Sequence, residues 1–283
     1  MQQARIATNH IYLNVVRAGP SSGPLVLLLH GFPEFWFGWR HQIEPLAGEG
    51  LQVWAPDQRG YNLSDKPRGI AAYNLDQLAA DVIGLIDAAG RTTAFLVGHD
   101  WGAAVAWYVA AQFPERLNKL VILNVPHPSV MLKTVRTRPK QMLKSWYIVF
   151  FQIPRAPELL ARAGHWRALV ETMERSSRPG SFTGADFERY REAWSRPEAM
   201  TSMLNWYRAI VQKPPRPLPD PRIHVPTLII WGVHDVALSQ EMAPASVQLC
   251  DKGRLELLGR ATHWVQHDEP DRVNELMIQF LRE

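Results

Sequence analysis

The segment that most constrains the fold spans residues 94–105, with the sequence AFLVGHDWGAAV. An apolar, β-prone run ends at Val97, and a pattern of small residues typical of a helix begins after Gly102. Gly98 and Gly102 flank three residues, a spacing typical of a sharp strand-to-helix turn that holds its central residue above the sheet edge. That residue is Asp100, next to a helix N-terminus whose free N–H groups favour negative charge. The segment therefore predicts a strand-turn-helix unit that exposes a carboxylate.

Apolar runs of strand length recur along the rest of the chain, with helical patterns between them. Predicted strands cover residues 25–29, 53–56, 94–97, 119–123, 227–231 and 254–258, predicted helices cover 74–89 and 268–281, and residues 6–17 are predicted to form a hairpin. Asp268 is the predicted N-cap of the closing helix. Strands that alternate with helices in this order predict an α/β fold, a mostly parallel sheet covered on both faces.

The alternation stops between residues 126 and 217, where helical patterns occur without a convincing strand. These patterns cover residues 130–152, 157–175, 184–196 and 197–211, and the Pro-rich segment 213–221 predicts a stiff extended connector. We therefore expect an α/β core formed by residues 1–125 and 218–283, with residues 126–217 inserted as a helical cap. Ligands bind at the carboxyl ends of parallel strands, so the cap would cover the site.

Composition limits the compartment and the partners. The single cysteine, Cys250, fits a reducing compartment, and no apolar run approaches the roughly 20 residues that span a bilayer. With a polar N-terminus, this predicts a cytoplasmic protein without a membrane partner. The net charge is +4, and the spacing of the basic residues in segment 133–144 indicates the solvated face of a helix. We expect no nucleic-acid partner and a monomer or homodimer.

Two further groups complete a candidate catalytic triad. Asp235 follows the strand at 227–231, and His263 follows the strand at 254–258. The order nucleophile, acid, histidine is one of the known triad orders, and both loops should reach the sheet edge that carries Asp100. At the end of the strand at 119–123, the other familiar position for the acid, Asn124 cannot hold a negative charge.

A carboxylate nucleophile supports different chemistry from a serine. Asp100, with a reference pKa of about 3.9, is already ionised at neutral pH and can attack a saturated carbon to form an ester. His263 would then activate water to hydrolyse that ester, while Asp235 orients the imidazole. The backbone N–H groups of Phe32 and Trp101 are the candidate oxyanion hole.

Four motifs carry a resemblance to a known family. They are His30-Gly31-Phe32-Pro33, Asp57-Gln58-Arg59-Gly60-Tyr61, Gly98-His99-Asp100-Trp101-Gly102 and His263-Trp264. Over essentially its whole length, the sequence resembles the epoxide hydrolases of the α/β-hydrolase superfamily. Asn62 stands where glycine commonly follows, and asparagine tolerates the same positive φ. The resemblance implies conversion of epoxides and water to vicinal diols, with no cofactor and no metal.

The resemblance also implies two cap tyrosines that grip the epoxide oxygen. The sequence around Tyr147 and Tyr207 resembles the family's tyrosine motifs, whereas Tyr190 lies among charged residues and does not. A phenol with a pKa of about 10 stays protonated at neutral pH and can donate to an alkoxide leaving group. Aromatic residues near the motifs predict an apolar substrate cavity suited to a lipophilic epoxide. The expected substrate-binding residues are Phe32, Trp36, Trp101, Phe150 and Trp264.

The alternative is a haloalkane dehalogenase with the same aspartate nucleophile. Such enzymes use a tryptophan after the nucleophile as a halide donor, and Trp101 is suitable. They usually add a second side-chain donor at the position of Phe32, which has none. A serine esterase is excluded by Asp100, and a catalytically silent binding protein would lack a triad member, whereas all three are present.

Overall fold

The computed structural model describes residues 1–218 and 220–283. Its central feature is one eight-stranded sheet with the strand order β1-β2-β4-β3-β5-β6-β7-β8. The strands are β1 (Gln2–Thr8), β2 (Ile11–Ala18), β3 (Leu25–Leu29), β4 (Gln52–Pro56), β5 (Ala94–His99), β6 (Leu117–Leu123), β7 (Thr227–Gly232) and β8 (Gly253–Leu258). The pairings of β1 with β2 and of β2 with β4 are antiparallel, and those of the remaining strands are parallel. The α/β-hydrolase fold expected from the sequence is confirmed.

Helices cover both faces of the sheet because its central strands are apolar on both sides. In β3, Leu27 belongs to the core beneath α2 (Leu75–Ala88) and α3 (Trp101–Gln112). Leu28 points to the opposite core, which lies beneath α1 (Ile43–Gly48) and α12 (Pro270–Arg282). The sheet is thereby fixed as a rigid platform, and the carboxyl ends of its parallel strands meet at one edge.

Helices occupy the chain between β6 and β7. They are α4 (Pro128–Thr137), α5 (Pro139–Lys144), α6 (Trp146–Phe150), α7 (Ala156–Ser176), α8 (Gly184–Trp194) and α9 (Ala199–Gln212). Two short helices, α10 (Met242–Val247) and α11 (Val265–Asp268), follow later in the chain. No helix within residues 1–218 and 220–283 is long and apolar enough to cross a membrane.

Three predictions of element bounds were wrong in detail. Residues 130–152 do not form one helix, because Pro139 forces Arg138 into an extended conformation (φ −123°, ψ 103°) and Ser145 interrupts the next turn. Helix α7 is broken by non-helical backbone at residues 163–166, which includes Gly164 with φ 57°.

The closing helix begins at Pro270 rather than after Asp268. The Asp268 carboxylate accepts instead from Thr262 and Ser181 and from the Arg178 N–H. Of the predicted connector at 213–221, Pro219 lies outside the described residues.

Candidate active site

The turn between β5 and α3 has the strained geometry that its glycines predict. Asp100 lies at φ 48° and ψ −121°. A Cβ on Gly98 would lie 2.5 Å from the Gly102 carbonyl oxygen, and one on Gly102 would lie 2.0 Å from the Leu29 carbonyl oxygen. Gly31 is equally constrained, since a Cβ there would lie 2.3 Å from the Asp100 Cβ. Glycine is therefore required at all three positions for the carboxylate to stand where it does.

The structure brings Asp100, Asp235 and His263 together from three separate loops. His263 Nδ1 lies 2.8 Å from Asp235 Oδ2, and His263 Nε2 lies 3.6 Å from Asp100 Oδ2. The His263 and Asp235 side chains are nearly inaccessible, at 9% and 1% exposure, whereas that of Asp100 is 21% exposed. The imidazole is thus held between a buried carboxylate and one that a ligand can reach.

The charges of Asp235 and Asp100 both act on the His263 imidazole. Burial alone would lower the pKa of His263, but the two neighbouring carboxylates, Asp235 and Asp100, raise it to about 10. Burial alone would raise the pKa of Asp235, whereas its contacts with His263 and Asn124 lower it. With both carboxylates ionised, His263 is an imidazolium at neutral pH. It can act as a base only after one of these negative charges has been removed.

The predicted oxyanion hole faces one oxygen of the nucleophile. The Phe32 N–H donates to Asp100 Oδ1 at 2.7 Å. Trp101 is the first residue of α3, so its N–H has no acceptor within the helix and lies at the positive end of the helix dipole. Oδ1 is therefore held by the backbone while Oδ2 faces His263.

Tyr147 and Tyr207 come from different helices, α6 and α9, and meet near Asp100. Their ring centroids are 5.8 Å apart, and the Tyr207 ring contacts Phe32 and Trp101 edge-on at 5.4 and 4.9 Å. Burial, followed by the charge of Asp100, raises the pKa of both phenols. Both hydroxyls are protonated donors at neutral pH, near enough to Asp100 to be affected by its charge.

The other predicted aromatic residues have different surroundings. Phe151 contacts Phe32, Tyr147 and Tyr207, whereas the Phe150 ring contacts Trp146 and Phe151. Phe32, Tyr147, Phe151 and Tyr207 thus form an aromatic wall near Asp100. Phe151 occupies the position in this wall that the sequence predicted for Phe150.

Trp36 and Trp264 have other aromatic neighbours. The Trp36 ring packs on Phe35 and Phe37. Trp264 packs edge-on against His263 at 5.3 Å, and its indole N–H donates to Ser176 Oγ. Trp264 therefore supports the imidazole, and substrate contacts for Trp36 and Trp264 stay predictions.

Comparisons with known proteins agree with this fold. The sequence profile of the alpha/beta hydrolase fold matches residues 24–270. The chain is 47% identical to AB hydrolase superfamily protein YfhM of Bacillus subtilis, over 98% of this chain and 96% of that protein. It is 39% identical to epoxide hydrolase 4 of Mus musculus, over 99% of this chain and 79% of that protein. The crystal structure of a Bacillus megaterium epoxide hydrolase with an inhibitor superposes with a TM-score of 0.90 at 33% identity, covering 99% and 100% of the two chains.

The chain belongs to the epoxide hydrolase family of α/β-hydrolases. It is accordingly a hydrolase.

In this member of the epoxide hydrolase family, Asn124 has a role that the sequence did not predict. Its side-chain amide donates to Asp235 Oδ2 at 2.8 Å, and its side-chain oxygen accepts from the Gly232 N–H at 2.9 Å. Asp235 Oδ1 accepts two further bonds from the N–H groups of Ala237 and Leu238. Asn124 thus orients the acid that occupies the neighbouring strand end. Its own place at a strand end was the only sequence signal.

A buried polar cluster behind His263 was also missed. Glu34, 1% exposed, accepts from the Tyr190 hydroxyl at 2.7 Å and from His267 Nε2 at 2.7 Å. Burial would raise the pKa of Glu34, but its contacts with His267 and His99 hold it well below the usual value. Burial lowers the pKa of His267, and Arg40 donates to its Nδ1, so this imidazole is neutral with its proton on Nε2.

The cluster connects helix α8 to His263. The Gln266 amide contacts both Glu34 Oε2 and His99 Nδ1, and His99 Nε2 donates to the His263 carbonyl at 2.9 Å. The Tyr190 hydroxyl therefore links α8 to the loop that follows β3.

Proposed function

We propose that this chain hydrolyses lipophilic epoxides to vicinal diols through a covalent ester on Asp100. The proposal rests on the different contacts that the two oxygens of that carboxylate make. Oδ1 accepts from the Phe32 N–H, while Oδ2 lies 3.6 Å from His263 beneath two protonated phenols.

Ring opening uses the free oxygen. Asp100 Oδ2 attacks an epoxide carbon, the carbon–oxygen bond of the ring breaks, and the departing oxygen takes a proton from Tyr147 or Tyr207. The phenol supplies its proton where the alkoxide forms. This proton is needed because the departing alkoxide is a far stronger base than a departing halide. The products are an ester on Asp100 and a phenolate.

Formation of the ester also changes the state of His263. Esterification removes the charge of Asp100, one of the causes that raise the pKa of this imidazole. The pKa of His263 falls, its proton neutralises the phenolate, and the imidazole becomes a neutral base. The enzyme thereby gains its base only when there is an ester to hydrolyse.

Hydrolysis then uses the oxyanion hole. His263 takes a proton from water, the resulting hydroxide attacks the Asp100 ester carbonyl, and negative charge develops on Oδ1 at the Phe32 and Trp101 N–H groups. Collapse of the tetrahedral intermediate expels the diol oxygen, which takes the proton of the newly formed carboxylic acid. Asp100 is again a carboxylate, and His263 is again an imidazolium paired with Asp235.

The apolar wall around the carboxylate sets the expected substrate class. Phe32, Trp101, Phe151 and the two phenols surround Asp100, so an alkyl or aryl epoxide should bind better than a charged one.

A substrate panel tests the proposed reaction against dehalogenation. The purified protein should convert styrene oxide to phenylethanediol, measured by chromatography, and release no halide from 1-chlorohexane. A matched charged epoxide should react far more slowly. Rapid halide release without diol formation would assign the site to the dehalogenase reaction and contradict the proposal.

A further inference from the structure

The outer side of the cap exposes an unusual amount of apolar surface. Within the described residues, fourteen large hydrophobic side chains are exposed, and eight of them lie between residues 132 and 160. These eight are Leu132, Met142, Leu143, Trp146, Val149, Ile153, Leu159 and Leu160. Trp146 and Val149, at 64% and 73% exposure, are among the most exposed. Single exposed hydrophobic residues are ordinary, but a contiguous group of them marks an interaction surface.

Exposed apolar side chains occur in both α5 and α6, next to buried polar ones. Met142 and Leu143 of α5 and Trp146 and Val149 of α6 are exposed, whereas Gln141 and Ser145 are buried. Tyr147 of α6 faces the active site, where its ring contacts Tyr207. The helix that carries a proposed proton donor on its inner side is therefore apolar on its outer side.

The same part of the cap is strongly basic. Residues 128–157 contain six cations, Lys133, Arg136, Arg138, Lys140, Lys144 and Arg155, and no Asp or Glu, although the whole chain carries a net charge of only +4. All six are at least partly exposed. By contrast, Arg167 in α7 and Arg191 in α8 pair with Glu171 and Glu188. In the described parts of the chain, none of the six lies within ion-pair distance of a carboxylate.

Charge decides which partner such a surface fits. A symmetric contact between two copies would place six cations against six cations, because an isologous interface pairs a surface with itself. An anionic lipid bilayer neutralises the cations and accepts the apolar side chains between its headgroups. Helices with Trp, Leu and Val on one side and flanking lysine and arginine bind membranes in this way.

We propose that the outer face of the cap, formed by the exposed apolar residues and the six cations of segment 128–157, docks on a bilayer that carries anionic phospholipids. This contact is peripheral and requires no spanning helix. It revises the interpretation of the basic residues as a solvated helix face, and it does not depend on the proposed reaction. Docking there would bring the cap, which covers the active site, to the phase in which lipophilic compounds concentrate.

Vesicle flotation tests the proposal with the whole protein. The protein should float with vesicles of phosphatidylcholine mixed with phosphatidylglycerol, remain unbound with phosphatidylcholine alone, and dissociate at high salt. Two double variants remove one component each, Leu143→Ser/Val149→Ser the apolar part and Lys133→Gln/Lys140→Gln the charge. Each should weaken binding to the mixed vesicles by about tenfold or more.

Matched controls change exposed residues of the same kinds elsewhere. Tyr12→Ser/Leu63→Ser and Arg68→Gln/Arg260→Gln should alter binding by less than about twofold, because these side chains lie in the sheet-forming part of the chain and not in segment 128–157. All variants should retain the wild-type melting temperature. The proposal is contradicted if the protein ignores anionic vesicles or if cap and control variants bind equally. It is also contradicted if sedimentation shows a dimer that Leu143→Ser/Val149→Ser dissociates, which would assign the face to a second copy.

Discussion

The His263→Gln variant is expected to open an epoxide once and then stop with the ester on Asp100. Glutamine can keep a hydrogen bond to Asp235, but it cannot take a proton from water. Asp100 Oδ2 remains free to attack, since the Phe32 N–H donates to the other oxygen, Oδ1. Steady-state diol formation should fall by about 10³-fold or more, as expected when a general base is removed.

Intact-protein mass spectrometry measures this directly. After incubation with styrene oxide, the variant should gain the mass of one epoxide, and peptide mapping should locate it on Asp100. The control is His234→Gln, which changes an exposed histidine next to Asp235 and should behave as wild type. Diol formation near the wild-type rate without an adduct would show that His263 is not the base.

The Tyr147→Phe/Tyr207→Phe variant is expected to be blocked at ring opening, the step before ester hydrolysis. It keeps both rings of the aromatic wall and removes both protons available to the departing oxygen. Alkylation should slow by about 10²- to 10⁴-fold, the usual range for loss of a general acid. Rapid-quench measurement of single-turnover epoxide consumption reports this step separately from ester hydrolysis.

Tyr190→Phe is the matched control in the cap. It removes a hydroxyl that donates to Glu34, so it should lower thermal stability but leave the alkylation rate near that of wild type. Equal loss of alkylation rate in Tyr190→Phe would mean that cap integrity, rather than proton donation, explains the effect. Unchanged alkylation in the double variant would remove the tyrosines from the mechanism.

The backbone part of the site was predictable because few residues satisfy its steric demands. Gly98 and Gly102 leave no room for a Cβ, so their spacing alone identified the turn that carries Asp100. Asp235 and His263 followed from the rule that the carboxyl ends of parallel strands share one sheet edge. The roles of Tyr147 and Tyr207 came from family resemblance, because a tyrosine on an amphipathic helix has no intrinsic signature of donation.

The remaining features depend on the rotation of short helices about their axes and on contacts between residues far apart in the sequence. The break at Ser145 and the short length of α6 set which of Phe150 and Phe151 faces Tyr207, and no periodicity shows this in advance. The cluster joins Glu34 to residues more than 150 positions away from it, such as Tyr190 and His267. A short-range pattern carries no information about such pairings.

In the proposed mechanism, the oxygen added to the first molecule of epoxide comes from Asp100 rather than from water. A single turnover of styrene oxide with excess wild-type enzyme in ¹⁸O-labelled water tests this step, with mass analysis of both the diol and the peptide that contains Asp100. We expect an unlabelled diol and one ¹⁸O atom in the Asp100 carboxylate. A labelled diol with an unlabelled peptide would mean that water attacks the epoxide directly, and would contradict the ester mechanism.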